Sequence, residues 1–426
     1  MLAACSAGRI VRGGLRCARN TRLALRARRR EPRTASYPIV RVSSIDGLPD
    51  PLYSLAQTVV VRQPTTARSR GTVRTIDWAD GAIEMIDQTL LPDEVRILRV
   101  DELDVLIDAI SRLAVRGAPA LGVAGALGVA MIARKHGDAS EARLLAARLR
   151  AARPTAVNLA WGVDRALAAL PRGAEAVLAE ALAIRDEDIA ACRDMGNIGA
   201  DLVRELVPDG PITVMTICNT GGLATVERGT ALGVVQTLFE RGDLREALAA
   251  ETRPLLQGAR LTTWELAQMG APYRLFVDSA GPSMLARGLA DVVLIGADRI
   301  AANGDTANKI GSYSLALGAR NACVPFIVVA PESTVDVATA SGDEIEIEDR
   351  GTDEVVSVRG VRLAAEGTRA INPAFDVTPH DLITAVVTNR RVVRVGRGET
   401  MHDLPHSAAD DTVAAAAAGS SGWKEN

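Results

Sequence analysis

Apolar positions along this chain follow two patterns, and the change comes near residue 210. Before it the spacing is helical: Leu103, Leu106, Ile107, Ile110 and Leu113 recur as they do on one buried helix face. The almost wholly apolar stretch from Ala120 to Ala133 follows, too short for the ~20 residues that span a bilayer. It reads as a buried helix, packed closely through Gly122, Gly125 and Gly128. Upstream, Val73 to Trp78, the turn pair Asp80-Gly81 and Ala82 to Ile86 predict a hairpin. After residue 210 come short, largely apolar runs such as Ile212 to Ile217 and Val292 to Ile295, the composition of strands buried on both faces. These runs alternate with helical segments and end near Cys218, Glu251, Asp278, Asp298, Ala330 and Thr388. The pattern predicts an α/β fold in two domains. A mainly helical domain with a small β-hairpin covers residues 72–206, and a Rossmann-like, doubly wound parallel sheet covers 207–397.

In such sheets ligands bind outside the carboxyl ends of the strands, so polar residues there are candidates for chemistry. Asp298 follows the Val292–Ile295 run by way of Gly296-Ala297, and Asn308 and Lys309 come shortly after. Lys309 is the more telling, because the chain holds only three lysines (Lys135, Lys309, Lys424) and otherwise writes Arg. Cys218 ends the Ile212–Ile217 run and is followed by Asn219-Thr220-Gly221-Gly222. A glycine turn leading into a helix, expected from Leu223 to Phe239, would favour the thiolate form. Cys192 and Cys323, in helical or strand context without a polar loop, read instead as small packing residues. In the first domain, Gly117 and Pro119 separate two helices. The N–H groups of Gly117 and Ala118 then lie at a helix start beside Arg116, which is an anion site.

Composition narrows the classes. Residues 1–36 hold ten Arg and one Glu, so the formal net charge of −3 divides into +9 there and −12 elsewhere. An acidic body argues against nucleic acid as a partner, and no apolar run reaches membrane length. Five irregularly spaced cysteines fit a reducing cytoplasm. The four histidines (His136, His380, His402, His406) lie away from the candidate clusters, which removes support for histidine triads and histidine-rich metal sites. Neither a GxGxxG fingerprint nor a GxxxxGK[ST] loop occurs, so no cofactor is expected. The Arg-rich, Ala-rich start resembles a transit peptide, and Leu2-Ala3-Ala4-Cys5 a lipoprotein box without the preceding apolar stretch. Residues 1–71 are read as a disordered extension and 398–426 as a disordered, low-complexity tail.

Seven segments taken together resemble one family. They are RGAPA (Arg116 to Ala120), RPTAVNL (Arg153 to Leu159), CNTGGLAT (Cys218 to Thr225), GTALGV (Gly229 to Val234), ETRPLLQGARLT (Glu251 to Thr262), GADRIAANGDTANKIGSYSLA (Gly296 to Ala316) and NPAFDVTP (Asn372 to Pro379). The set is similar to the methylthioribose-1-phosphate isomerases of methionine salvage, whose superfamily also holds the regulatory subunits of translation initiation factor 2B. The resemblance covers residues 72–396 in order. It implies an aldose–ketose isomerase acting on a sugar phosphate, with Asp298 as general acid and Cys218 stabilising the transition state or moving a proton. It also implies substrate binding by Arg116, Gly117, Ala118, Arg153, Gln257, Asn308 and Lys309, and a homodimer.

The chain departs from the family pattern at Ile217, where His is usual, at Val226-Glu227-Arg228, and at Ala280-Gly281-Pro282-Ser283. No named residue is lost. Substrate identity stays open, since relatives of this kind act on 5-deoxyribose 1-phosphate or ribose 1,5-bisphosphate. A non-catalytic binder of a sugar phosphate or nucleotide, like the initiation-factor subunits, is the alternative from another class.

Overall fold

The computed structural model describes residues 74–402 except 137, 138 and 155. The extension expected over 1–71, and the tail beyond residue 402, lie outside the described residues.

Strands β1 (Ile76–Ala79) and β2 (Ala82–Ile86) form the expected antiparallel hairpin. Asp80 and Gly81 turn it at φ 48° and 82°, the positive values a tight two-residue turn requires. A third strand, β3 (Ile97–Val100), pairs with β2. Helices α1 (Leu103–Ser111), α2 (Ala118–Lys135), α3 (Ala139–Arg150) and α4 (Val157–Leu167) follow. Among the described residues α2 is the one helix long and apolar enough to cross a bilayer, yet it is mostly buried inside the protein. It crosses α4 where Gly162 meets Gly122, so closely that a methyl group on Gly162 would lie 3.0 Å from the Gly122 α-carbon.

Helix α5 (Ala174–Leu206) runs for 33 residues and serves two cores. Val177, Ala181 and Ile184 pack with α2 and the small sheet, whereas Met195, Ala200 and Val203 pack on the large sheet that follows. Past α5 the chain forms β4 (Ile212–Thr216), α6 (Ala231–Glu240), β5 (Leu244–Ala250), α7 (Thr263–Met269), β6 (Tyr273–Phe276), α8 (Gly281–Ala286) and β7 (Val292–Ile295). It continues through β8 (Arg299–Ala301), β9 (Thr306–Lys309), α9 (Ser312–Ala322), β10 (Phe326–Val329) and β11 (Val335–Asp336). The last elements are α10 (Asp353–Val356), β12 (Ser357–Val358), β13 (Val361–Arg362), β14 (Phe375–Thr378), β15 (Ala385–Val387) and β16 (Val392–Val393).

Seven of these strands form one sheet in the order β16-β15-β10-β7-β4-β5-β6, parallel except for β16 at one edge. From the centre, β4, β5 and β6 step one way and β7, β10 and β15 step the other. The order therefore reverses between β4 and β7, and a doubly wound sheet opens its crevice at that switch point. Alternate residues supply two apolar faces, as the unbroken strand composition requires. Val214, Leu294 and Ile327 pack against α5, α6 and α7, while Met215, Val293 and Val328 pack with α8 and α9. A smaller sheet, β11-β8-β9-β14, brings Lys309 opposite Phe375.

Three expectations need correction. The helix foreseen from Leu223 to Phe239 starts only at Ala231. Before it the chain makes a single 3₁₀ turn at Gly222–Ala224 and bends through Arg228 and Gly229, both at positive φ, so that the Thr230 N–H reaches the Thr220 carbonyl at 2.8 Å. Cys192 is buried as foreseen, but Cys323 is exposed, because α9 ends there in a left-handed turn at φ 56°. The chain is also still packed beyond residue 398: Met401 is buried and its N–H donates to the Ala302 carbonyl at 3.1 Å.

Candidate active site

The two strands that flank the switch point each deliver one reactive side chain. Cys218 lies just past β4, and Asp298 lies just past β7 on the loop begun by Gly296. Both line one crevice of about 780 Å³, counted to its open mouth. The same crevice is lined by Arg116, Gly117, Ala118, Arg153, Gln257, Asn308 and Lys309, so every residue singled out from the sequence comes to one place.

Cys218 is held in an unusual backbone state. Its φ is 63°, which for a residue with a Cβ costs roughly 1–2 kcal/mol. Two threonines keep it there: the Cys218 N–H donates to Thr252 Oγ1 at 2.9 Å, and Thr262 Oγ1 donates to the Cys218 carbonyl at 2.6 Å. Thr262 closes a turn of π-helix, Gly258–Thr262, that begins directly after Gln257. Turns of that kind recur where a side chain must be aimed at a site. Gln257 Oε1 is buried and finds no partner inside the protein, so it is an acceptor offered to the crevice.

Asp298 sits in a low-dielectric place. Burial raises its carboxyl above the ordinary value, the positive charges of Lys309, Arg116 and Arg153 pull it back, and Glu348 raises it again. Lys309 is held by donation to the Ala374 carbonyl at 2.8 Å and by the face of Phe375, 4.4 Å from its ammonium to the ring centre. Burial lowers the Lys309 ammonium; the charges at Cys218 and Asp298 act in the opposite sense. Asn308 is buried and donates to Ser312 Oγ at 2.9 Å, at the start of α9.

An anion site faces these groups from the helical half. Gly117, at φ 92°, caps the N-terminus of α2, where the first N–H groups of a helix have no partner within it. Arg153 comes from the loop before α4, and burial lowers its guanidinium. It makes a long ion pair, 3.8 Å, with Glu348. A desolvated cation beside a helix start is well placed for a phosphate.

Arg116 is placed differently from its expected neighbours. It is 9% exposed, and its guanidinium points at the protein: Nε donates to Gln88 Oε1 at 3.2 Å, Nη2 to the Asn219 carbonyl at 2.9 Å and to Asn219 Oδ1, and Nη1 to that carbonyl at 3.3 Å and to Cys218 Sγ at 3.9 Å.

Sequence reasoning missed four contributors. Glu348 and Arg350, paired at 3.1 Å, reach the crevice from the irregular segment between β11 and α10. Gln88 and Glu265 lie behind it, and Glu265 accepts from Asn219 Nδ2 and from the Leu223 N–H at 3.1 Å. An EIEIEDR segment and a glutamate inside a helix carry no distinguishing signal. The residues that depart from the family pattern all turn away from the crevice. Ile217 is buried in the sheet core, Glu227 pairs with Arg74 at 2.7 Å, Arg228 pairs with Glu240, and Gly281 packs against Leu315.

Comparison with known proteins agrees in extent with this unit. The profile of the initiation factor 2 subunit family matches residues 114–394. A methylthioribose-1-phosphate isomerase of Xanthomonas euvesicatoria is 51% identical over 331 residues, covering 75% of this chain and 92% of that protein. A 5-deoxyribose 1-phosphate isomerase of Moorella thermoacetica is 48% identical, covering 75% and 93%. A probable bifunctional methylthioribose-1-phosphate isomerase/methylthioribulose-1-phosphate dehydratase of Nocardia farcinica is 53% identical over 75% of this chain, which spans only 58% of that longer protein. Among solved structures, 5-methylthioribose 1-phosphate isomerase from Pyrococcus horikoshii superposes with a TM-score of 0.69 at 38% identity, covering 75% of this chain and 92% of that one. The translation initiation factor eIF-2B subunit delta from A. fulgidus gives 0.69 at 39%, covering 76% and 96%. With the profile spanning most of its length and relatives matched nearly end to end, the chain belongs to the initiation factor 2 subunit family.

Proposed function

We propose that this chain is an aldose–ketose isomerase that converts 5-methylthioribose 1-phosphate into 5-methylthioribulose 1-phosphate, a step of methionine salvage. The observation that carries the reading is the convergence of Cys218 and Asp298 on one crevice at the switch point, opposite the anion site at Gly117, Ala118 and Arg153. The names of the isomerases of X. euvesicatoria and P. horikoshii support the choice of sugar.

The chemistry sets the roles. Phosphate on the anomeric oxygen prevents the ring from opening to a free aldehyde, so the ring oxygen must receive a proton as its bond to C1 breaks. A carboxyl whose pKa is raised by burial is better placed to give that proton, and Asp298 is such a group. One hydrogen then moves from C2 to C1, the C2 hydroxyl gives up its proton, and the ketone results with no net change in composition. Cys218 takes that second proton or holds the developing charge. The phosphate rests on the N–H groups of Gly117 and Ala118, on Arg153 and on Lys309, while Gln257 and Asn308 orient the hydroxyls. A homodimer belongs to the same reading and is checked by light scattering.

The test is to supply 5-methylthioribose 1-phosphate and follow the ketose. Run beside it, 5-deoxyribose 1-phosphate addresses the second reading, which the 48% identity to the M. thermoacetica enzyme favours.

A further inference from the structure

We infer that Glu348 is a positioning residue for Asp298, a fixed negative charge set among the cations of the crevice so that Asp298 can serve as an acid. The inference rests on the isomerase reading in taking Asp298 to be the proton donor.

Among the described residues that line the crevice, Arg116, Arg153, Lys309 and Arg350 are cations, and Asp298 and Glu348 are the carboxylates. A crevice that takes a phosphate gains no affinity from a second carboxylate, because like charges repel. Glu348 is nevertheless held there firmly. Its Oε1 accepts from Arg350 Nη1 at 3.1 Å, and Arg350 is gripped in turn by Glu354 Oε1, at 2.9 Å from Nε and 2.6 Å from Nη2. The main chain is tied as well. The Glu348 carbonyl accepts from the Ala374 N–H at 2.9 Å, and the Arg350 N–H donates to the Asn372 carbonyl at 3.0 Å. Asn372 Nδ2 closes the frame by donating to Glu354 Oε2 at 3.1 Å. Lys309 hangs on the same frame, since its ammonium donates to the Ala374 carbonyl at 2.8 Å. Glu348 Oε2 faces Arg153 Nη2 at 3.8 Å, which is a charge contact longer than a hydrogen bond.

That charge acts on Asp298. The groups that face Asp298 are Lys309 on β9, Arg116 before α2, Arg153 before α4, Cys218 after β4, and Glu348 with Arg350 on the segment before α10. Burial raises the Asp298 carboxyl; Lys309, Arg116 and Arg153 pull it down, and Glu348 raises it again. Cations that serve the phosphate therefore work against the acid, and Glu348 offsets them without leaving the crevice. Two carboxylates in one site, one deeply buried and one ion-paired, divide into an acid and a fixed anion.

The experiment compares the wild type with Glu348→Gln, which keeps the shape and an acceptor for Arg350 but loses the charge. One readout is the pH profile of kcat on 5-methylthioribose 1-phosphate. The other needs no turnover: an infrared difference titration of the protonated Asp298 carboxyl, whose band is identified by its absence in Asp298→Asn. Glu348→Gln is expected to move the alkaline limb of kcat and the midpoint of the band downward together by about one pH unit, so that kcat above the limb falls about tenfold. Glu348→Asp, which keeps the charge, should hold both near their wild-type places. Inorganic phosphate, followed by calorimetry, should bind Glu348→Gln at least as tightly as the wild type, whereas a merely structural role would weaken it. A band that stays in place or moves upward in folded Glu348→Gln overturns the inference. Should that variant not fold, Glu348→Ala carries the same expectation. If the sugar is not turned over, the isomerase reading fails in the first readout, and the infrared titration still decides whether Glu348 acts on Asp298.

Discussion

Gly117 rests against Ala224: a methyl group on its α-carbon would stand 2.6 Å from the Ala224 α-carbon and 2.8 Å from its Cβ. Gly117 caps the helix that offers the anion site, and Ala224 closes the glycine loop that begins at Cys218. This contact sets the distance between the anion site proposed to hold the substrate and the thiol proposed to react with it. At φ 92° and with no room, alanine is excluded twice over. Gly117→Ala is expected to cost about 2–4 kcal/mol, from backbone strain and overpacking together, and turnover should fall further than the lowered Tm explains. Thermal melts beside kcat/KM check both parts.

Asp298→Asn keeps size and polarity but cannot give a proton. It is expected to fold as the wild type does and to lose ~10²–10⁴ in kcat, the range for a positioned general acid. Wild-type circular dichroism with near-full activity would remove Asp298 from the mechanism.

The pH profile follows from the same carboxyl. With Asp298 as the proposed general acid, activity is expected to fall as pH rises through its pKa, and burial moves that limb up from the ordinary carboxylate value. Lys309 is the largest charge pulling it down. Lys309→Met should therefore move the alkaline limb of kcat upward in pH, besides raising KM through the lost phosphate contact. A limb that moves downward would contradict the assignment.

Cys323 is exposed whereas Cys218 is 8% exposed, so a thiol reagent will label Cys323 without consequence. Cys323→Ser is expected to remain fully sensitive to inactivation, in step with modification of Cys218, and substrate should protect. Inactivation that disappears with Cys323→Ser would make Cys218 a packing residue.

Acid stability has an identifiable source away from the crevice. Burial alone would raise Asp305, but the N–H groups of Gly342 and His380 and the side chains of Asn303 and His380 outweigh it and leave the carboxyl below its ordinary 3.8. A lowered carboxylate contributes stability above its unfolded pKa and loses it as pH falls through the folded one. Asp305→Ala should lower Tm at pH 7, and the difference should shrink as pH falls below the ordinary carboxylate value and through the folded-state pKa. A loss that stays the same as pH falls would assign the effect to packing.

How much of this was legible in the sequence depended on what each residue's neighbours were. Val292 to Ile295 could be read because a strand buried on both faces has no other composition, and Cys218 and Asp298 stood out as polar groups at the ends of such strands. The Leu223–Thr230 segment could not be, because its path is set by Thr230 bonding back to Thr220 and by Val226 accepting from Thr75, contacts that leave no periodic trace. Gln88, Glu265 and Glu348 were invisible for a related reason: each acts through partners far along the chain. Arg116 was located from its motif, but only the geometry of Asn219 and Gln88 showed where its donors point.

On the proposed reading, Cys218 and Asp298 isomerise a pentose 1-phosphate held by the anion site of α2. The most direct measurement of that reaction is the rate of ketose formation from 5-methylthioribose 1-phosphate by the wild-type protein, by Asp298→Asn and by Cys218→Ser, with 5-deoxyribose 1-phosphate in parallel. Rapid conversion by the wild type, preference for the methylthio sugar, and a loss of ~10² or more in each variant while the folds persist are expected on that reading. Binding of the sugar phosphate without conversion by the wild type, or variants that turn over at the wild-type rate, would contradict it.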